Sequence, residues 1–557
     1  HLKDGHSYYA HLKDNKKESL FEHTNSVINY FLKLVSENNL ESLLNRLIEK
    51  DEEKVFTKPN MELQNIVKEM FVGVVYFHDF GKVNQNFQRE KMGNLSFPNA
   101  NNGIGSEHSI LSAYLYISFF EQLIRNISFG EEESLYLELI IISFSHSIIK
   151  HHGALSEALK PSLNERLISQ IGNYYDLFDG KFFVERQKVK ELLEKIDDFR
   201  NYKSDYTEDS AIYLLLKLNS SLLTASDYYA TNEFMNNMSI DDFGIMNEQL
   251  KNKIISNTYK VSYNRVLNEN FNYFQKLKFE ELNALSNNNL NMLRQKLAAE
   301  VITNVRNNTS CKLFYIEAPT GAGKTNLSLL ALTEILKNRS DVSKIFYVFP
   351  FTTIITQTYK TLCDSLELSY SEIAEIHSKA PFKENNSERN ENDADYDTEW
   401  RNYIDNLFVN YPIVLLSHVK FFDILISNEK NVNYLLHRLA NSVVIIDELQ
   451  SYNPTEWDKV NYLLQEYSEV MNITFIVMSA TLPKISKLFL YKDVSKDNFI
   501  YLINNKKEYF LNPNFRERVK IKLDYLDEGK DLLRLCRIVL KHSEDYYNER
   551  GCFKSII

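Results

Sequence analysis

Cysteine is nearly absent from this chain of 557 residues: Cys311, Cys363, Cys536 and Cys552 are scattered, and none sits in a C-x-x-C pair. That excludes a zinc ribbon and a disulfide framework, and it points to a reduced, cytoplasmic compartment. No apolar run approaches the roughly 18 residues of a membrane span, so no membrane partner is expected. The first residues, His1-Leu2-Lys3-Asp4, form no apolar signal region and include no starting Met, so earlier residues are expected to precede them. A basic excess is also lacking. The net charge of −11 excludes a basic coat, although a local groove for nucleic acid remains compatible with it. What is present is ordinary for globular domains, with 44% hydrophobic and 25% charged residues. The length suggests three or four units.

Two regimes follow one another along the chain. Over 1–235 glycine is sparse and apolar residues recur at three- and four-residue spacing, as in 20–35 and 212–229, which predicts an all-α domain. The segment 236–285 is polar and Asn-rich and reads as a connector with some helix. From 286 to 500, short apolar runs at 312–317, 344–349, 412–416, 442–446 and 474–478 alternate with helical stretches. Such alternation predicts a parallel sheet covered by helices, an α/β RecA-like P-loop domain. The stretch 383–395, dense in Asn, Glu and Asp, reads as a solvated insertion. Residues 501–557 read as a linker leading into a second such domain, with a strand expected at 551–557 and the chain expected to be cut short there.

The α/β part carries a phosphate-binding pattern. Ala318-Pro319-Thr320-Gly321-Ala322-Gly323-Lys324-Thr325 follows a strand and precedes a helix, the context a P-loop requires. Ala318 stands where Gly is more usual. The small residues, Gly321 and Gly323 among them, let backbone N–H groups face phosphate oxygens. Lys324 reaches the β- and γ-phosphates of ATP, and Thr325 ligates Mg²⁺. The apolar strand before Asp447-Glu448-Leu449-Gln450 ends in two acids at the sheet edge where α/β folds bind ligands. Asp447 is expected to hold Mg²⁺ through water, and Glu448 to polarise the attacking water. Gln295 is either an adenine-reading glutamine or a helix-surface residue. Ser479-Ala480-Thr481 and Pro350-Phe351-Thr352-Thr353 are similar to helicase motifs III and Ia. Ile376-His377-Ser378 and Ser417-His418 sit where helicases contact the DNA backbone.

The helical part holds Phe77-His78-Asp79-Phe80-Gly81-Lys82. A His-Asp doublet alone is weak, since a salt-bridged core histidine explains it equally well. The other members strengthen it. His23 shares a helix face with Val27, Tyr30 and Phe31, His108 with Leu111, Ser112 and Leu115, and Asp227 with Leu216 and Leu223. A buried carboxylate is costly unless paired or bound to metal. His151-His152-Gly153 completes the set; His11 and His146 fit no ligand position and read as structural.

This ordered series, followed by a P-loop, Asp-Glu-Leu-Gln and Ser-Ala-Thr, resembles the CRISPR-associated HD nuclease–helicases of type I interference systems. The resemblance implies a multidomain chain in which an all-α HD-type metal phosphohydrolase domain precedes a superfamily 2 helicase. It implies two divalent metals, one held by His23, His78, Asp79 and Asp227, the other by Asp79, His108, His151 and His152, with Asp79 bridging. Imidazole-rich sites suit transition ions such as Mn, Co, Ni or Fe better than Mg²⁺. Asp79, Lys82 and Glu448 would be catalytic, Lys82 by steadying phosphate charge. The implied activity is degradation of single-stranded or R-loop DNA with ATP-driven 3′-to-5′ translocation, recruited by a guide-RNA surveillance complex. Two alternatives stay open: a DNA-repair or RNA helicase whose HD domain hydrolyses nucleotides, and a DNA-docking module without turnover.

Overall fold

The computed structural model describes residues 2–14, 16–53, 55–98, 105–127, 129–155, 164–178, 183–202, 210–376, 394–480, 499–516 and 532–550. His377, Ser378, Thr481, the terminal strand expected at 551–557 and nearly all of the 383–395 insertion lie outside these residues.

The first domain is helical, built on Leu20–Glu37, Glu41–Glu52, Met61–Phe77, Ser109–Asn126, Glu131–Lys150 and the long Ser210–Asn236. It is not purely α. A hairpin of β1 (Tyr9–Lys13) and β2 (Lys16–Ser19) runs straight into the first long helix. Ser19 caps that helix: its side chain accepts from the Glu22 N–H, while the Glu22 carboxylate accepts from the Ser19 N–H. This reciprocal pair satisfies two otherwise orphaned donors and fixes where the helix starts, which in turn places His23 in its first turns.

The second domain is a seven-stranded, all-parallel sheet formed by β3 (Leu313–Glu317), β4 (Lys344–Phe349), β5 (Ile373–Ile376), β6 (Ile413–Ser417), β7 (Ser442–Ile446), β8 (Thr474–Ser479) and β9 (Ile500–Tyr501), in the order β5-β6-β4-β7-β8-β3-β9. Alternate residues along a strand face opposite sides. Val444 and Ile446 enter one core and Val443 and Ile445 the other, so both faces are covered, as parallel sheets require. The P-loop and the Asp447-Glu448 pair follow β3 and β7 at the carboxyl edge of this sheet.

Two expected boundaries shift. The connector 236–285 is not a free linker: Met246, Leu250, Ile254, Leu267, Phe274, Leu277 and Leu282 are buried in the helicase core. Its helices are amphipathic, and their polar outer faces dominate the composition. The sheet likewise continues past residue 500, because β9 pairs with β3 while Leu502, Ile503, Tyr509 and Phe515 join the same core.

The two domains share the other core. The helix Ser210–Asn236 lies between them, with Leu216, Leu223 and Tyr229 packed in one cluster with Phe408, Phe421, Leu425 and Leu436. Polar contacts tie the seam. Lys217 Nζ donates to the Leu425 carbonyl at 2.8 Å, the Ser221 hydroxyl is 3.1 Å from His437 Nδ1, and fully buried Arg438 donates to the Tyr229 hydroxyl at 2.8 Å.

Candidate metal centre and nucleotide site

Four helix ends and two helix faces converge on the metal centre. His78 caps the C-terminus of Met61–Phe77, and Asp79 begins the short 3-10 turn Phe80–Val83. His108 stands at the N-terminus of Ser109–Asn126, and His151 at the C-terminus of Glu131–Lys150. His23 and Asp227 come from within their helices. The end of Glu131–Lys150 at Lys150 is what lets His151 and His152 turn to one side, since helical neighbours diverge by about 100°. Gly81 makes the assembly possible: a Cβ there would lie 1.9 Å from the His108 carbonyl oxygen, and its own N–H donates to the Ser112 hydroxyl at 2.7 Å.

The donor atoms fall into two groups within 4.8 Å: His23, His78, Asp79 and Asp227; and Asp79, His108, His151 and His152. Asp79 divides its oxygens between them. Its Oδ2 is 3.4 Å from His23 Nε2 and 3.5 Å from His78 Nε2, while its Oδ1 is 3.7 Å from His108 Nε2 and 3.6 Å from His151 Nε2. Asp227 Oδ1 lies 3.3 Å from His23 Nε2, and His152 Nε2 lies 3.2 Å from His108 Nε2.

The electrostatics fit cation binding. Both ring nitrogens of His23, Nε2 of His78 and His151 and Oδ1 of Asp79 are buried with no hydrogen-bond partner, and cations held there would account for the atoms that face the centre. Nδ1 of His78 and of His151 face backbone carbonyls of Val75 and Ile148, leaving each Nε2 as the lone-pair nitrogen toward the centre. Burial pushes His78 and His108 down to about 4 and, with His151 alongside, His152 to about 3. These imidazoles are therefore held neutral, the form that ligates metals. His23 goes the other way: burial opposes its charge, but Asp227, Asp79 and Glu18 raise it well above the ordinary value. Burial alone would raise Asp79 and Asp227; Lys82 and His78 for the one, and His23 and His78 for the other, outweigh it and hold both carboxyls low.

Lys82 is not free to meet a phosphate. It is 4% exposed, and its Nζ sits 2.6 Å from Asp79 Oδ2 and 3.3 Å from the Ala10 carbonyl. Sequence reasoning set His11 aside as structural and passed over Glu18, yet both join His23 in a third close group. The signal was there in the alternation of 9–13 and 16–19, but a hairpin this short is hard to see without its turn. His146 is buried on its helix outside these groups.

At the nucleotide site, Gly321 and Gly323 adopt φ of 85° and 83°, the left-handed region that glycine enters without strain. Lys324 and Thr325 open the following helix. Lys324 Nζ pairs with Glu448 Oε1 at 2.6 Å. A chain of side chains continues from there: the Gln450 amide donates to Glu448, and the Ser479 hydroxyl donates to Gln450 Oε1 at 2.7 Å. P-loop, acidic box and Ser-Ala-Thr segment are thus joined. Burial raises Asp447 to about 6. Gln295, Arg294 and Tyr263 line a cavity of about 540 Å³ beside Ala322 and Gly323; the Gln295 amide donates to the Tyr263 carbonyl at 2.8 Å. His418 is a correction. It is buried, stacked on Tyr452 at 4.4 Å, and its Nε2 lies 3.0 Å from the Asp447 carbonyl, while Ser417 caps the following helix. His418 does not face outward to a DNA backbone.

Comparison with known proteins bears on the helicase domain and the fold. Residues 294–488 match the DEAD/DEAH box helicase family. Among solved structures, the chain is similar to T. fusca Cas3 bound to AMPPNP, with 14% identity over 86% of this chain and 50% of that one and a TM-score of 0.52. It is also similar to T. fusca Cas3 alone, with 14% identity over 86% and 51% and a TM-score of 0.50, and to its ATP complex, with 13% over 90% and 54% and a TM-score of 0.50. The chain therefore spans about half the length of those proteins. No curated protein matches. Among the described residues no helix is long and apolar enough to cross a membrane. Residues 294–488 are a DEAD/DEAH box helicase domain, with the ATP and Mg²⁺ chemistry that implies, joined to a helical N-terminal domain in the fold of the T. fusca Cas3 structures.

Proposed function

We propose that this chain is a CRISPR-associated nuclease–helicase, in which an HD-type centre hydrolyses single-stranded DNA and the helicase domain moves along it 3′ to 5′. The observation that carries the reading is the division of Asp79 between two complete donor groups. Two transition ions held by these residues would supply a hydroxide and stabilise the leaving oxygen of a phosphodiester. The protein does the rest. Asp79 sets the spacing of the two groups, and Lys82 steadies Asp79 from behind. His152 is the exposed member, with His108 and Asp227 partly open, so a strand reaches the centre across His152. In the second domain Lys324 and Thr325 hold the nucleotide, Asp447 holds Mg²⁺ through water and Glu448 orients the attacking water. R-loop DNA opened by a guide-RNA surveillance complex in the cytoplasm is the proposed substrate, on the resemblance of the motif series.

The test is purified chain with end-labelled single-stranded DNA and Mn²⁺, Co²⁺ or Ni²⁺. Metal-dependent shortening that EDTA stops is expected. Hydrolysis of dNTPs with DNA left intact would replace this reading with a nucleotide phosphohydrolase.

A further inference from the structure

His23 differs from its fellow ligands in how its second nitrogen is held. His78 and His151 end their helices, where carbonyl groups lack helical partners and accept from Nδ1. His23 lies in the first turns of its helix, where the nearby carbonyls are committed to helical N–H groups. An acceptor for its Nδ1 must therefore come from another element. The hairpin brings one close, although His23 Nδ1 makes no hydrogen bond in this structure. His11 on β1 and Glu18 on β2 are cross-strand partners, which puts both side chains on one face of the hairpin. Glu18 is 6% exposed. Its Oε2 lies 2.7 Å from His11 Nδ1 and 3.3 Å from His23 Nδ1, and the two rings meet edge to face at 4.5 Å. On the other side His11 Nε2 is 3.4 Å from Lys82 Nζ, which holds Asp79. The contacts close a ring through Asp79, Lys82, His11, Glu18 and His23.

We propose that Glu18 is a positioning residue that fixes the tautomer and ring orientation of the metal ligand His23, and that His11 braces Glu18 from across the hairpin. A carboxylate accepting from Nδ1–H leaves the Nε2 lone pair facing Asp79 and Asp227. Such outer partners typically contribute 10- to 100-fold to metal affinity. The inference rests on the metal-centre reading above, and its direct effect falls on the ion of the His23 group, because His23 is the member of the two groups nearest Glu18.

The experiment is calorimetric titration of the full chain with Mn²⁺ alone, after chelator treatment and dialysis. Wild type should take up two ions. Glu18→Gln should weaken one of them about 10- to 100-fold, leaving the other unchanged. His11→Gln should weaken the same ion to a smaller extent, and because its side chain is partly exposed it carries the test if Glu18→Gln does not fold. Unchanged affinity for both ions in the folded variants overturns the proposal. Equal weakening of both ions together with a lowered melting temperature also overturns it, because that is what a purely structural carboxylate would do. Wild type that binds no Mn²⁺ overturns the metal centre itself, a result visible before any variant is made.

Discussion

Replacing Asp79 by Asn keeps the side-chain volume and removes one buried negative charge. Lys82 is then left with its ammonium group buried between the Ala10 carbonyl and His11, having lost its partner at 2.6 Å. Breaking a buried ion pair from one side typically costs about 3–5 kcal/mol, a large share of the roughly 5–15 kcal/mol that keeps a domain folded. Asp79→Asn is therefore expected to lower the denaturation midpoint, measured with chelator present so that no metal stabilisation is mixed in. Asp79→Asn combined with Lys82→Met removes both charges, and most of the lost stability should return. Neither variant should cut DNA or hold two Mn²⁺ ions, because each Asp79 oxygen faces a different donor group. The pair of variants thus separates a broken fold from a broken centre. If the single variant matches wild type in stability, or the double variant is no better than the single one, Lys82 is not the partner that the geometry makes it. If Asp79→Asn still binds two ions, Asp79 does not bridge them.

Three further outcomes are expected. Gly81→Ala places a methyl group 1.9 Å from the His108 carbonyl; overpacking of this kind costs about 1–3 kcal/mol, and Mn²⁺ titration should show the ion of the His108 group weakened more than the other. Lys324→Ala should abolish binding of a fluorescent ATP analogue while metal-dependent cutting of single strands persists; joint loss in a folded protein would refute two independent sites. Lys217→Met should leave stability at pH 7 unchanged or raised by up to about 3 kcal/mol, because burial lowers the Lys217 ammonium to about 8 and the Leu425 carbonyl keeps its bond from the Tyr467 hydroxyl. The sign follows from linkage: the unfolded lysine binds its proton up to about pH 10.4, so the penalty is fully present below about pH 8 and fades as pH rises between the two values. Chemical denaturation of both proteins at pH 7 and pH 10 checks it; a gap that widens at high pH would refute the argument.

The candidate nucleotide site could be proposed from the sequence because its residues are contiguous. Lys324 and Asp447 each stand at the end of a strand whose apolar run is visible in the sequence, so motif and position support each other. The candidate metal centre was harder, because its possible donors come from separate helices and only their order along the chain groups them. What escaped was whatever depends on burial or on pairing. The environment of His418 is made by Tyr452 and Asp447, distant in sequence, so its inward orientation left no local trace. His11 and Glu18 meet through a hairpin register that a bulge between Tyr9 and His11 disturbs. The segment 236–285 misled through composition, since a helix with one apolar stripe is mostly polar when its residues are merely counted.

The helix Ser210–Asn236 has one more consequence. The same rod carries Asp227 toward the metal centre and Lys217, Ser221 and Tyr229 toward the helicase domain. The N-terminal helical half is consequently not a portable cartridge. Excising it near residue 235 would strip a greasy flank bare beside Asp227, and grafting it onto another α/β domain would require Arg438, His437 and Asn410 to be rebuilt on the new host. Recombination between such genes should respect this seam, and chimeras that cross it should fail at assembly before their chemistry can be assayed.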